Sequence, residues 1–152
     1  MVIVGRQRKH AVRKDAIRGV LERAAAVLKV TGELTVVFAG DTLLRRLNRD
    51  YRFKDKPTDV LSFRGPGGEM GLGDVVISVE TARTNAAKFS RTLDEELEIL
   101  ALHGFLHALG FDHEADQGEM EALEKRLRRS LLSHRGPRTP ATRRTQATGA
   151  RA

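Results

Sequence analysis

The sequence predicts a single α/β (α+β) domain, a small mixed sheet packed by helices. Three observations predict it. The chain has 152 residues, enough for one domain with a modest core, and its 40% hydrophobic and 31% charged content is that of a soluble globular protein. Short runs rich in β-branched residues alternate with longer stretches whose apolar residues recur at helical spacing. Finally, two neighbouring strand-like runs are joined by a Gly/Pro-rich connection and no helix, and three helical stretches follow them.

"VIVGRQ" (Val2–Gln7) reads as the first strand. From about Ala11 to Val30, the apolar residues Val12, Ala16, Val20, Leu21, Ala24, Val27 and Leu28 share one helical face, and Thr31-Gly32 stops that helix. "ELTVVFA" is a β-branched strand. Asp41 or Thr42 caps a short helix carrying Leu43, Leu44 and Leu47. "DVLSF" and "DVVISV" are two further strands on either side of "RGPGGEMGLG". Thr81 to about Phe89 is helical, and Thr92 with Glu95 forms a capping box that opens a long helix through Leu109. Asp116 to Leu132 is a last amphipathic helix with Met120, Leu123, Leu127 and Leu131 on one side. The order is β-α-β-α-β-β-α-α-α without repeats, giving one domain over residues 1–132. Residues 133–152 hold almost nothing apolar and are expected to be a disordered, arginine-rich tail.

The net charge of +7 is placed unevenly. Five arginines and no acid lie between Ser133 and Ala152, and six basic residues against Asp15 lie between Met1 and Arg18. Basic ends suit a polyanion such as RNA, or simply a solvated surface. No apolar run is long enough to span a bilayer, and the N-terminus lacks the order of a secretory signal. A cytoplasmic protein with no membrane partner is therefore expected. There is no cysteine, so a metal must be held by His, Asp or Glu.

"HGFLHALGFDH" holds three of the five histidines, His103, His107 and His113. Residues four apart on a helix project from one face, with Cβ atoms about 5–6 Å apart, so His103 and His107 can grip one metal. Gly110 follows the last periodic apolar residue and permits the left-handed turn that brings the chain back, carrying His113 toward the helix. Three nitrogen ligands leave one tetrahedral position open, as in catalytic zinc sites. The spacing equals that of the metzincin proteases, whose general base is a Glu directly after the first His. Here that residue is Gly104, so the metal geometry is shared without the protease's proton acceptor. His10 and His134 lie among basic residues and read as bystanders.

"HGFLHALGFDH" closely resembles the H-G-x-L-H-x-x-G-x-D-H signature of the YbeY family. "LNRDYRFKDKPTDVLSF" (Leu47–Phe63) is similar to that family's N-x-x-Y-R-x-K-D-x-P-T-D-V-L-S-F block, and "LGDVVIS" (Leu72–Ser78) to its L-G-D-I-x-I-S strand. The likeness runs from about Leu34 to Leu132 and excludes the arginine-rich tail. It implies a bacterial, cytoplasmic, zinc-dependent, single-strand-specific endoribonuclease. Such an enzyme acts in ribosome biogenesis, maturing the 3′ end of small-subunit ribosomal RNA and serving ribosome quality control. The implied partners are ribosomal RNA, the small ribosomal subunit and ribosomal proteins or ribosome-associated factors. One zinc ion per chain on His103, His107 and His113 is implied, with Arg52 as the residue important for activity.

Read as chemistry, Arg52 can pair with a phosphate and offset developing charge, or it can sit in a surface ion pair with Asp50 or Asp55. Asp112 is either a partner to an imidazole or a turn residue. Thr58, Asp59 and Asp74 read as structural, Phe105, Leu106 and Phe111 as core, and Lys54 and Lys56 as a groove lining beside Arg52 or a solvated loop. Two other functions remain open on the sequence: a non-catalytic ribosome assembly factor with a structural zinc, and a metalloprotease, which Gly104 disfavours.

Overall fold

The computed structural model describes residues 1–67, 70–112 and 114–132. The elements are β1 (Val2–Gly5), α1 (Lys14–Leu28), β2 (Leu34–Ala39), α2 (Asp41–Arg52), β3 (Val60–Arg64), β4 (Gly73–Ser78), α3 (Val79–Lys88), α4 (Leu93–Ala108) and α5 (Glu119–Leu131). Their order is the one the sequence predicts. The four strands form one mixed sheet in the order β1-β2-β4-β3. β1, β2 and β4 run parallel, with Val36 opposite Ile3 and Val75. β3 pairs antiparallel to β4, with Ser62 opposite Val75, as a direct strand-to-strand connection allows. β3 is thereby an edge strand.

Side chains alternate across a strand, and here both faces are covered. Val36 and Phe38 of β2, Val60 of β3 and Val75 and Ile77 of β4 point to one side, where they join buried residues of α1, α3, α4 and α5 in the main core. Val37, Leu61, Phe63 and Val76 point to the other side, where Leu43, Leu44 and Leu47 of α2 cover them. The molecule thus has three layers, with α2 alone on one face. α4 is the central helix: Leu97, Leu100, Ala101, Leu102, Phe105 and Leu106 are all buried. The predicted core residues Phe105 and Leu106 are in place.

Several boundaries differ from the sequence reading. α1 ends at Leu28, with Lys29 in the left-handed region at φ 57, before Thr31-Gly32 is reached. α2 is longer than expected and neither Asp41 nor Thr42 caps it; Gly40 is its N-cap. The Asp41 carboxylate instead accepts hydrogen bonds from Ser78 Oγ at 2.5 Å and Thr81 Oγ1 at 2.6 Å, tying the start of α2 to the start of α3. β4 begins at Gly73, one residue before the Asp74 at which the predicted strand starts. The Thr92–Glu95 capping box is present, each bond 3.0 Å long. The arginine-rich stretch from Ser133 lies outside the described residues, and no described helix is long and apolar enough to cross a membrane.

Candidate metal centre and active-site cleft

The site forms where α4 crosses edge strand β3. Gly104 sets how closely they approach. A Cβ on Gly104 would stand 2.5 Å from Val75 Cγ1, 3.1 Å from Ser62 Oγ and 3.2 Å from Val60 Cγ2. Helix and sheet therefore touch backbone to side chain, and Ser62 Oγ donates to the Gly104 carbonyl at 2.8 Å. The position that carries a protease's general base faces the sheet here, and no glutamate fits it.

His103 and His107 lie on the same face of α4, as their spacing predicts. Their ring centroids are 4.7 Å apart at an interplanar angle of 74°. The Nε2 atoms of both are shielded from solvent. His103 is buried, and its Nδ1 lies 2.7 Å from Oε1 of Glu124 on α5. An ionised carboxylate only accepts, so Nδ1 is the donor in this bond, and Nε2 is the nitrogen that a metal would take. That is the carboxylate–imidazole arrangement that fixes a metal-ligating tautomer. Arg128 stands 3.7 Å from the other Glu124 oxygen. The donor chemistry thus fits a divalent ion on two imidazoles. His113, the third predicted ligand, lies outside the described residues.

α4 ends in a Schellman turn. Gly110, at φ +105, donates to the His107 carbonyl at 2.9 Å, and Phe111 donates to the Leu106 carbonyl at 3.1 Å. This is the reversal the glycine predicts. Asp112 serves the turn that follows: Oδ1 accepts from the Glu114 amide at 3.0 Å, and its carbonyl accepts from Ala115 and Asp116 at 3.1 Å each.

A cleft of about 370 Å³ opens beside these elements, lined by Arg52, Leu61, Ser62, Arg64, His107, Gly110, Phe111, Asp112 and Glu114. Arg52, at the end of α2, reaches it from one side of the sheet and His107 from the other. The two acids that might have neutralised Arg52 are engaged elsewhere: Asp50 with Arg49 at 3.2 Å, and Asp55 with Arg45 at 2.8 Å. The Arg45 hydrogen bond holds the Asp55 carboxyl below its usual range. Lys54 and Lys56 are exposed and do not line the cleft. Phe111, expected in the core, is half-buried and forms part of the cleft wall. Asp59 is buried and accepts from Asn85 Nδ2 at 3.0 Å, a structural role as expected.

Two residues of this candidate site escaped the sequence reading. Arg64 follows Val60 and Ser62 on the α4 side of β3, by the two-residue period of a strand. Its guanidinium lies over Gly110, where an added Cβ would meet Nη1 at 2.8 Å. Glu124 sits one helical step from buried Met120 and is itself buried. A carboxylate on an apolar stripe was the available signal for it.

The end of α2 is unusual. Its C-cap, Phe53, adopts φ 58, a left-handed conformation that costs a residue with a side chain about 1–2 kcal/mol. The Phe53 amide donates to the Arg49 carbonyl at 3.1 Å and the Lys54 amide to that of Asn48 at 3.2 Å. The Phe53 side chain is left 88% exposed.

The chain is similar to known proteins. The family model described as Endoribonuclease YbeY matches residues 3–132, which brings the N-terminal strand into the likeness. The chain is 48% identical over 120 residues to the endoribonuclease YbeY of Solibacter usitatus (strain Ellin6076), covering 79% of this chain and 80% of that one. It is 45% identical over 130 residues to the endoribonuclease YbeY of Aquifex aeolicus (strain VF5), covering 83% and 86%. The solution structure of a Thermotoga maritima protein shares the fold with a TM-score of 0.59 at 24% identity, over 86% of this chain and 87% of that one. With a family match over most of the chain and relatives this similar over most of their length, the chain belongs to the endoribonuclease YbeY family.

Proposed function

We propose that this protein is a zinc-dependent, single-strand-specific endoribonuclease of the cytoplasm. In this reading it matures the 3′ end of small-subunit ribosomal RNA and serves ribosome quality control. Its partners are then the small ribosomal subunit and the ribosomal proteins around the cut site. Membership of an endoribonuclease family supports an RNA substrate. The observation that carries the reading is that Arg52 and His107, brought in on opposite layers, line one cleft.

His103, His107 and His113 are the residues that would hold the ion. Three nitrogen donors without cysteine favour zinc and leave a position open. When bound, such an ion polarises a phosphoryl oxygen and lowers the pKa of bound water to about 7.

The chain's own groups do the rest. Arg52 binds the non-bridging oxygens of the scissile phosphate and offsets the charge that grows there, and Arg64, at the cleft wall over Gly110, holds the RNA by its backbone. Among the described residues neither arginine is held in an ion pair, so both are available to an anion. Glu124 positions His103. Asp112 and Glu114 are the carboxylates in the cleft and the proton acceptors it offers.

The test is cleavage of a single-stranded ribosomal RNA fragment by the full chain beside His107→Ala, with metal content measured on both. Wild type should hold about one ion per chain and cut. The variant should lose the ion and the activity together. Cleavage at the wild-type rate by a metal-depleted variant would refute the assignment.

A further inference from the structure

We propose that Phe53 is a stacking platform for an unpaired nucleobase next to the phosphate bound at Arg52. This rests on the reading of the cleft as an RNA-cleaving site.

Among the described residues no packing accounts for Phe53. It belongs to neither hydrophobic cluster, and its side chain is the most exposed of the large hydrophobic residues described. Its φ of 58 is a conformation that favours glycine or asparagine. An aromatic ring held in solvent at a backbone position suited to glycine is doubly unfavourable for the free protein. A ligand offsets both if it covers the ring. Tyr51, two residues earlier, is also 63% exposed, but its ring already meets Phe63 edge-on at 5.3 Å, on the layer facing the sheet. No ring contact of Phe53 is found among the described residues.

Location and charge identify the ligand. Phe53 directly follows Arg52, so its Cα lies about 3.8 Å from that of a residue lining the cleft. Between Arg45 and Lys56 stand six cationic and two acidic side chains, and both acids are engaged by Arg45 and Arg49. That leaves Arg46, Arg52, Lys54 and Lys56, all exposed in the same stretch of chain, to meet a polyanion. A cationic surface with an exposed aromatic is how proteins bind single strands without reading sequence, since every base has a π-face. Phenylalanine offers no hydrogen bond to a base edge, so the platform accepts any base. It requires that the base be unpaired, because a base stacked within a duplex has no free face. Phe53 thereby gives the cleft a physical reason to select single-stranded RNA.

The test uses the full-length, metal-loaded protein and a short single-stranded RNA carrying one 2-aminopurine, made uncleavable by 2′-O-methyl groups. A duplex of the same sequence is the control. Phe53→Ala should weaken single-strand binding about tenfold and abolish the quenching of 2-aminopurine, as loss of one stacked base predicts. Phe53→Trp should restore both, and Phe53→Leu, apolar without a π-face, should behave like the alanine variant. Phe53→Gly should melt higher than Phe53→Ala yet bind RNA equally poorly, which separates backbone strain from stacking. Duplex binding should be the same in all. If wild type binds the single strand and Phe53→Ala binds and quenches equally well, the platform is overturned while the nuclease reading stands. Equal weakening on the duplex would also overturn it, as loss of a general contact. Failure of wild type to bind the single strand at low salt would overturn the platform and the RNA reading together.

Discussion

Nδ1 of His103 and Oε1 of Glu124 are 2.7 Å apart, a buried bond that joins the central helix α4 to the last helix α5. It orients the imidazole, so the nitrogen that would face a bound ion is positioned by a residue 21 positions further along the chain. Glu124→Ala should therefore lower metal affinity about 10–100-fold, the usual effect of removing such a partner. The measurement is a competition titration against a chelator, with circular dichroism to show that α5 persists. Affinity equal to wild type would leave Glu124 as a helix-packing residue only.

Gly104 stands against Val75, Ser62 and Val60 with no room for a methyl group. Gly104→Ala should destabilise the fold by about 1–3 kcal/mol, the cost of overpacking a filled interior. Urea unfolding of wild type and variant checks this. Because the same contact sets α4 against β3, RNA cleavage should fall as well, even where the variant is fully folded.

Arg52 and Arg64 reach one cleft from different elements. Arg52→Ala should leave metal content unchanged and lower RNA cleavage by about a hundredfold or more, by analogy with the loss of an oxyanion donor. Arg64→Ala should act chiefly on KM, since its guanidinium rests over Gly110 at the cleft wall. Steady-state kinetics on one RNA decides between them. A wild-type rate for Arg52→Ala would remove that residue from the mechanism.

Asp55 accepts from Arg45, and this bond holds its carboxyl below the usual carboxylate range. A depressed folded pKa stabilises the folded state above the unfolded value of about 3.9 and is lost as pH falls through the folded value. In an NMR titration Asp55 should protonate at lower pH in wild type than in Arg45→Gln. The pair is exposed, so the melting temperature at pH 7 should barely change.

Ser133–Ala152 lies outside the described residues but carries five arginines and no acid. Truncation after Leu132 should leave metal content unchanged and flatten the log K against log[salt] slope for RNA. The change should be about 0.7 for each arginine that meets a phosphate of a single strand. Superimposable slopes would mean that this stretch touches no phosphate.

What the sequence discloses and what it hides follow from how far each interaction reaches along the chain. The helical pair His103–His107 and the turn at Gly110 depend on spacings within a single helix end, so the spacing alone exposes them. The Thr92–Glu95 box is equally local. Glu124 is legible only once α5 is known to pack on α4, and Arg64 only once β3 is known to lie under that helix. The role of Asp41 depends on Ser78 and Thr81, 37 and 40 positions further along the chain. Gly104 could be read as a missing glutamate, but its reason, the approach of Val75, is a tertiary distance.

The two halves of the cleft come from opposite layers of the sheet and meet only at edge strand β3. α2 brings Arg52 from the thin layer, and α4 brings His107 from the thick one. A chain whose sheet has not yet closed holds a pair of histidines and a stray arginine but no place where both touch one phosphate. A partly folded chain therefore lacks the cleft, and any activity that needs both side chains is itself a report that the sheet has closed.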